Sequence, residues 1–142
     1  MLTTLSTPEV LEILERAGGT YWATVRDDEN QVLFGNQLNT ISLTLYAIRA
    51  DGTRAIINSR DHLNALNVNN VEVFNSLQTR SDGVLYNLRW RIQVGDTTLV
   101  DPLPFERHIA LWEWTWPRPA GGNGAGKHEV VLNVQNLTEV GI

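Results

Sequence analysis

Val84-Leu85-Tyr86-Asn87-Leu88-Arg89-Trp90-Arg91-Ile92-Gln93-Val94 decides how this chain is read. Val84, Tyr86, Leu88, Trp90, Ile92 and Val94 are apolar at every even position, and Asn87, Arg89, Arg91 and Gln93 occupy the alternate face. Successive strand side chains point to opposite faces, so this alternation specifies a β-strand with one face in a core. Downstream, Gly95-Asp96 turns the chain and Asp101-Pro102-Leu103-Pro104 breaks it. His108 to Trp116 is aromatic and β-prone on both faces, the pattern of a central strand. Pro117 to Gly126 reads as a flexible loop, and His128 to Val134 as a closing strand with Val130, Leu132 and Val134 facing in.

Upstream the period of two persists. Tyr21, Ala23 and Val25 alternate with Trp22, Thr24 and Arg26, and Asp27 to Asn30 is a turn before Val32-Leu33-Phe34. Ile41, Leu43 and Leu45 point in while Ser42 and Thr44 point out. Asp51-Gly52 signals a hairpin leading into Arg54-Ala55-Ile56-Ile57. Asn58 to Asn70 is Asn-rich and turn-like, Val71 to Phe74 is a short strand, and Ser81-Asp82-Gly83 turns again. Ahead of all this, Thr7-Pro8-Glu9 has the order of a capped helix start. Val10, Leu11 and Leu14 form a stripe, and Gly18-Gly19 stops it, predicting a short α-helix over 7–17. The chain therefore reads as an all-β, antiparallel β-sandwich of residues 20–142, preceded by a helical contact segment, 1–19. A small closed barrel is the alternative.

The 142 residues suit one domain and include no cysteine, which removes disulfides, thiolate metal sites and thiol catalysis. Sixteen acidic against eleven basic residues leave a net charge of −5, which disfavours phosphate-driven nucleic-acid binding. No apolar run reaches the roughly 20 residues that span a bilayer, and the first residues lack a secretory pattern. A soluble domain made inside the cell is the expectation.

Gly121-Gly122-Asn123-Gly124-Ala125-Gly126-Lys127 has the spacing of a phosphate-binding loop. His128 follows the lysine where Ser or Thr should hold magnesium, and Val130-Val131 continues as a strand rather than a helix, so a hairpin is expected. The histidines His62, His108 and His128 lack the close spacing of a zinc half-site. His108 near Glu106 and Glu113 admits a metal or acid–base site, or a histidine bonded to backbone. Glu113 between Trp112 and Trp114 admits a raised carboxyl working as a general acid. It also admits a cross-strand partner in Arg89 or Arg91. Trp112, Trp114 and Trp116 share a strand face: exposed, it would stack on sugars, and buried, it is core. Trp116, beside Pro117, is expected at a rim.

Ile41-Ser42-Leu43-Thr44-Leu45-Tyr46, Ile56-Ile57-Asn58-Ser59-Arg60-Asp61 and Leu66-Asn67-Val68-Asn69-Asn70-Val71 resemble tailed-bacteriophage virion proteins with an immunoglobulin-like fold. So do the segments His108 to Trp116 and Lys127 to Val134. The likeness covers roughly residues 21–137 and is similar to the N-terminal domain of baseplate upper proteins and to small head and neck proteins. Residues 1–19 fall outside it. Such families carry no catalytic motif, so the resemblance implies a non-enzymatic structural role in a virion, with no cofactor or metal. The protein would assemble in the host cytoplasm in several symmetric copies, contacting other virion proteins but neither nucleic acid nor membrane. Val10, Leu11, Leu14, Trp116 and Lys127 are the expected contact residues. A carbohydrate-binding module using surface tryptophans, and a glycosidase-like enzyme around Glu113, are the rival expectations.

Overall fold

The computed structural model describes residues 4–5, 9–101 and 103–136. Among the described residues ten strands form two sheets: β1 (Thr4–Leu5), β2 (Glu9–Leu14), β3 (Gly19–Ala23), β4 (Thr40–Ile48), β5 (Arg54–Ile56), β6 (Leu63–Asn64), β7 (Val71–Thr79), β8 (Leu85–Ile92), β9 (Phe105–Pro117) and β10 (Asn123–Gln135). The larger sheet runs β1-β10-β9-β4-β5, with β2 also on β10 and β6 also on β4. The smaller runs β3-β8-β7. The architecture is an all-β sandwich.

The core forms where the alternation predicted it. Leu88, Trp90 and Ile92 of β8 face Ile41, Leu43 and Leu45 of β4 and Val130, Leu132 and Val134 of β10, all buried. Tyr86, expected in the core, instead packs its ring on Trp22 and Phe74 on the other face of the smaller sheet, beyond a register shift in the β7–β8 ladder. Trp90 meets Trp112 edge to face, with centroids 5.6 Å apart. Val84 and Val94 lie outside β8 and are exposed, so the inward apolar pattern is three residues long, Leu88, Trp90 and Ile92, rather than six. Asn87, expected on the solvent face, is wholly buried. The segment after β3 folds over it: Asn87 accepts from the Val25 amide (2.9 Å) and donates to the Leu33 carbonyl (2.6 Å).

The expected N-terminal helix is a strand. Glu9–Leu14 pairs parallel with Val130–Gln135 of β10, and the proposed cap residues Thr7 and Pro8 lie outside the described residues. The same six residues also satisfy a period of two, with Leu11 and Ile13 turned to the core and Val10, Glu12 and Leu14 turned out. An isolated ten-residue helix carries a costly nucleus and few bonds, whereas a strand here covers the edge of β10. The pairings of β1 and β2 are parallel; the other named strand pairs are antiparallel. The Asn-rich stretch does turn: Asn58, Ser59, His62, Asn67, Asn69 and Asn70 all have positive φ, a conformation Asn tolerates well.

The expected flexible loop 117–126 shrinks to a turn closed by the Gly121 amide on the Arg118 carbonyl (3.0 Å). Asn123 already belongs to β10, so Gly124 and Gly126 are strand residues.

Candidate functional site

Two places in this frame concentrate chemistry or contact potential: the cleft between the sheets, and the outer face of the larger sheet. The cleft encloses about 460 Å³ and is lined by Glu9, Tyr21, Trp22, Leu88, Trp112 and His128 among others. The Glu9 carboxylate accepts from the Tyr21 hydroxyl at 2.8 Å and meets His128 Nε2 at 3.1 Å. Burial first, and the adjacent Glu9 carboxylate second, push the Tyr21 phenol far above its ordinary range. The cleft thus has mainly apolar walls with one bonded carboxylate at its side.

The acidic and basic residues of the interior are engaged in holding loops. Arg60 and Asp96 form a buried pair, Nε to Oδ1 at 2.7 Å. Asp96 also accepts from the Gln93 amide and from Asn58. His108 is fully buried, with Nδ1 2.8 Å from the Asp96 carbonyl and Nε2 2.6 Å from Glu106. A carbonyl only accepts, so Nδ1 carries a hydrogen. Glu106 in turn takes the amides of Val100 and Asp101, both at 2.9 Å. This is the backbone-bonded alternative for His108, extended by a carboxylate. Among the described residues no cluster of three His, Cys, Asp or Glu is arranged to hold a metal.

Glu113 does not meet Arg89 or Arg91, which both pair with Glu72 on β7. It lies on the outer face of the larger sheet, 3.6 Å from His62 Nε2 and in register with Lys127. The sheet between them explains the miss: Arg89 and Arg91 belong to the other layer.

Trp112, Trp114 and Trp116 all face the interior and are at most 6% exposed. The rim expectation for Trp116 is therefore corrected. Opposite Trp116 and Trp114, β10 places Gly124 and Gly126, whose missing side chains leave room for the rings. The glycine spacing that resembles a phosphate loop is a floor for two indoles. Trp114 further donates to the Arg26 carbonyl at 3.0 Å. With the tryptophans inside, no sugar platform is presented by this strand.

The outer face behaves differently from a solvent-facing sheet. Val10, Val131, Ile109, Tyr46 and Ile56 lie in cross-strand register on β2, β10, β9, β4 and β5. This apolar row crosses five strands. Only its ends are open, Val10 at 63% and Ile56 at 47% exposed, while Ile109 and Tyr46 between them are buried; Leu14 and Phe105 add exposed apolar surface on the same face. The neighbouring row carries Arg54 beside Ile48 at one end, then Arg107, Asn133 and Glu12 in register towards the other. Glu12 accepts from Asn133 and Gln135, and the Arg54 guanidinium sits 4.6 Å from the Tyr46 ring centroid.

Of the five contact residues read from sequence, Val10, Leu14 and Lys127 share this outer face, while Leu11 packs on the core and Trp116 is buried. Sequence reading missed Ile56, Tyr46, Ile109, Val131, Phe105, Glu12 and Arg54. A signal existed: on the face opposite the tryptophans, Ile109 and Leu111 are apolar ahead of Glu113 and Thr115. Among the described residues no helix is long and apolar enough to cross a membrane. Compared with known proteins, the chain matches no family model, and no curated protein matches it.

Proposed function

We propose that this chain is a non-enzymatic structural module that acts through protein contacts. The setting we infer is a tailed-bacteriophage particle, where it serves as a head–tail neck, tail or capsid-surface component with an immunoglobulin-like sandwich. One observation carries the contact role: the apolar row Val10–Val131–Ile109–Tyr46–Ile56 on the outer face of the larger sheet. The outward face of a two-layer antiparallel sandwich is ordinarily polar, and exposed apolar surface on it marks an interaction site; here Val10, Leu14 and Phe105 at one side and Ile56 at the other supply it. The phage setting rests on the sequence resemblance, with the sandwich as the class of fold it implies. Partners are then other virion proteins in repeated copies, the chain being assembled in the host cytoplasm.

The rival readings have less support. Trp112, Trp114 and Trp116 are buried and give a sugar nothing to stack on. Glu113 sits on an outer face beside His62 rather than against the rings of Trp112 and Trp114, which turn the other way.

The experiment is mass spectrometry of purified particles from cells expressing the tagged chain during phage growth. The chain is expected at fixed stoichiometry, and Val10→Lys with Ile56→Lys is expected to exclude it. Particles that lack the wild-type chain would overturn the virion reading.

A further inference from the structure

We infer that the outer face of the larger sheet pairs with the same face of a second copy of this chain, about a two-fold axis running along β9. The inference rests on reading that face as a contact surface and names its occupant. Sheets pack face to face about 10 Å apart, with strand directions within about 30°. β9 is the middle strand of the five that carry the apolar row, with β4 and β5 on one side and β10 and β2 on the other. Rotation about β9 therefore lays the exposed Ile56 of one copy on the exposed Val10 of the other, with the largely buried Ile109 and Tyr46 forming the floor nearest the axis. An isologous interface requires such a self-complementary patch.

The adjacent row supplies the register. Rotation brings Arg54 of each copy over Glu12 of the other, so two opposite-charge pairs form at the two ends of the face. Within one chain these residues stand four strand spacings apart, about 19 Å at ~4.8 Å per strand. They do not pair internally: Glu12 bonds to Asn133 and Gln135, and Arg54 rests on Tyr46. Glu113 also meets its own mate on the axis, but Lys127 beside it supplies the opposite charge. Arg107 meets its mate without such a neighbour in its own row, which weakens the pairing and gives a further test.

Sedimentation velocity over a concentration series reads the result. The wild-type chain is expected to dimerise reversibly. Glu12→Arg alone and Arg54→Glu alone should each weaken the dimer at least tenfold, since like charges then meet across the interface. The double exchange Glu12→Arg with Arg54→Glu should restore it, and Arg107→Ala should tighten it. Both exchanged residues are exposed, and circular dichroism checks that each variant keeps its strands. A wild-type chain that stays monomeric throughout, single exchanges without effect, or a double exchange that fails to restore pairing each overturn the proposal. A monomer that still enters particles would overturn this pairing alone; a dimer absent from particles would overturn the virion role alone.

Discussion

Gly124 and Gly126 lie in β10 across from Trp116 and Trp114, and the indoles occupy the space their side chains would fill. A methyl group on Gly126 would overlap the Trp114 ring, which is also tethered through its N–H to the Arg26 carbonyl. Alanine ordinarily helps a strand by restricting the unfolded chain, by about 0.5–1 kcal/mol relative to glycine. Overpacking a rigid ring costs about 1–3 kcal/mol, so it decides the sign. We expect Gly126→Ala to lower urea-unfolding stability by up to about 2.5 kcal/mol, the difference of the two terms. A variant as stable as wild type would mean the ring has another seat. Sequence could not reveal this role, because glycine spacing says nothing about what lies across the sheet. Tyr21 gives a second residue-scale outcome. Its phenol is raised by burial and by Glu9, so the folded state keeps a proton that the unfolded state loses near pH 10. With the folded value raised, the contribution is complete below the unfolded value and falls as pH rises above it. Stability should therefore decline with alkalinity above about pH 10, and Tyr21→Phe should flatten that slope. Ultraviolet titration should show Tyr21 ionising only as the protein unfolds.

β2 shows why one element escaped the sequence and another did not. β8 was legible because apolar residues alternate from Val84 to Val94 and fit no helical face, although only Leu88, Trp90 and Ile92 of them turn to the core. Glu9–Leu14 fits both periods, and its partner Val130–Gln135 lies more than a hundred residues away, where no local pattern reaches. The helix start signals were local, and the cover that β10 needed was not. This makes Leu11 a discriminating position. In a strand it turns inward beside Leu132, while Val10 stays outside. Leu11 is only partly buried, so Leu11→Ser should cost about 1–3 kcal/mol, below the range of a fully buried leucine. Amide exchange should quicken across 9–14 and along the facing edge of β10. Val10→Ser should change stability by no more than about 0.5 kcal/mol, as exposed positions do. Equal effects at the two positions would argue against the inward-outward alternation of this strand.

At the scale of the whole molecule, the sandwich class followed from composition and alternation, but the strand order did not. The ladders join Trp22 to Arg89, Ser42 to Glu113 and Leu11 to Leu132, so most pairing is between residues distant in sequence. Loop closure must precede the gains of such contacts, and chains of this kind fold in about milliseconds to seconds. The order of events is then set by what each strand can bury. β8 and β9 contribute Trp90 and Trp112 from facing sheets, and β9 lies between β10 and β4. Among the described strands β2 pairs with β10 alone, and it turns Leu11 and Ile13 to the core and Glu9 to Tyr21. Its docking gains little until β10 is already in place, so it belongs to the last step. We expect Leu11→Ser to leave the refolding rate nearly unchanged and to raise the unfolding rate by the whole of its stability loss, the behaviour of a position formed after the transition state. Leu88→Ala, in the centre of β8, should instead slow refolding. Stopped-flow tryptophan fluorescence across urea concentrations measures both limbs, and a refolding limb slowed in Leu11→Ser as much as in Leu88→Ala would place the β2–β10 ladder in the nucleus.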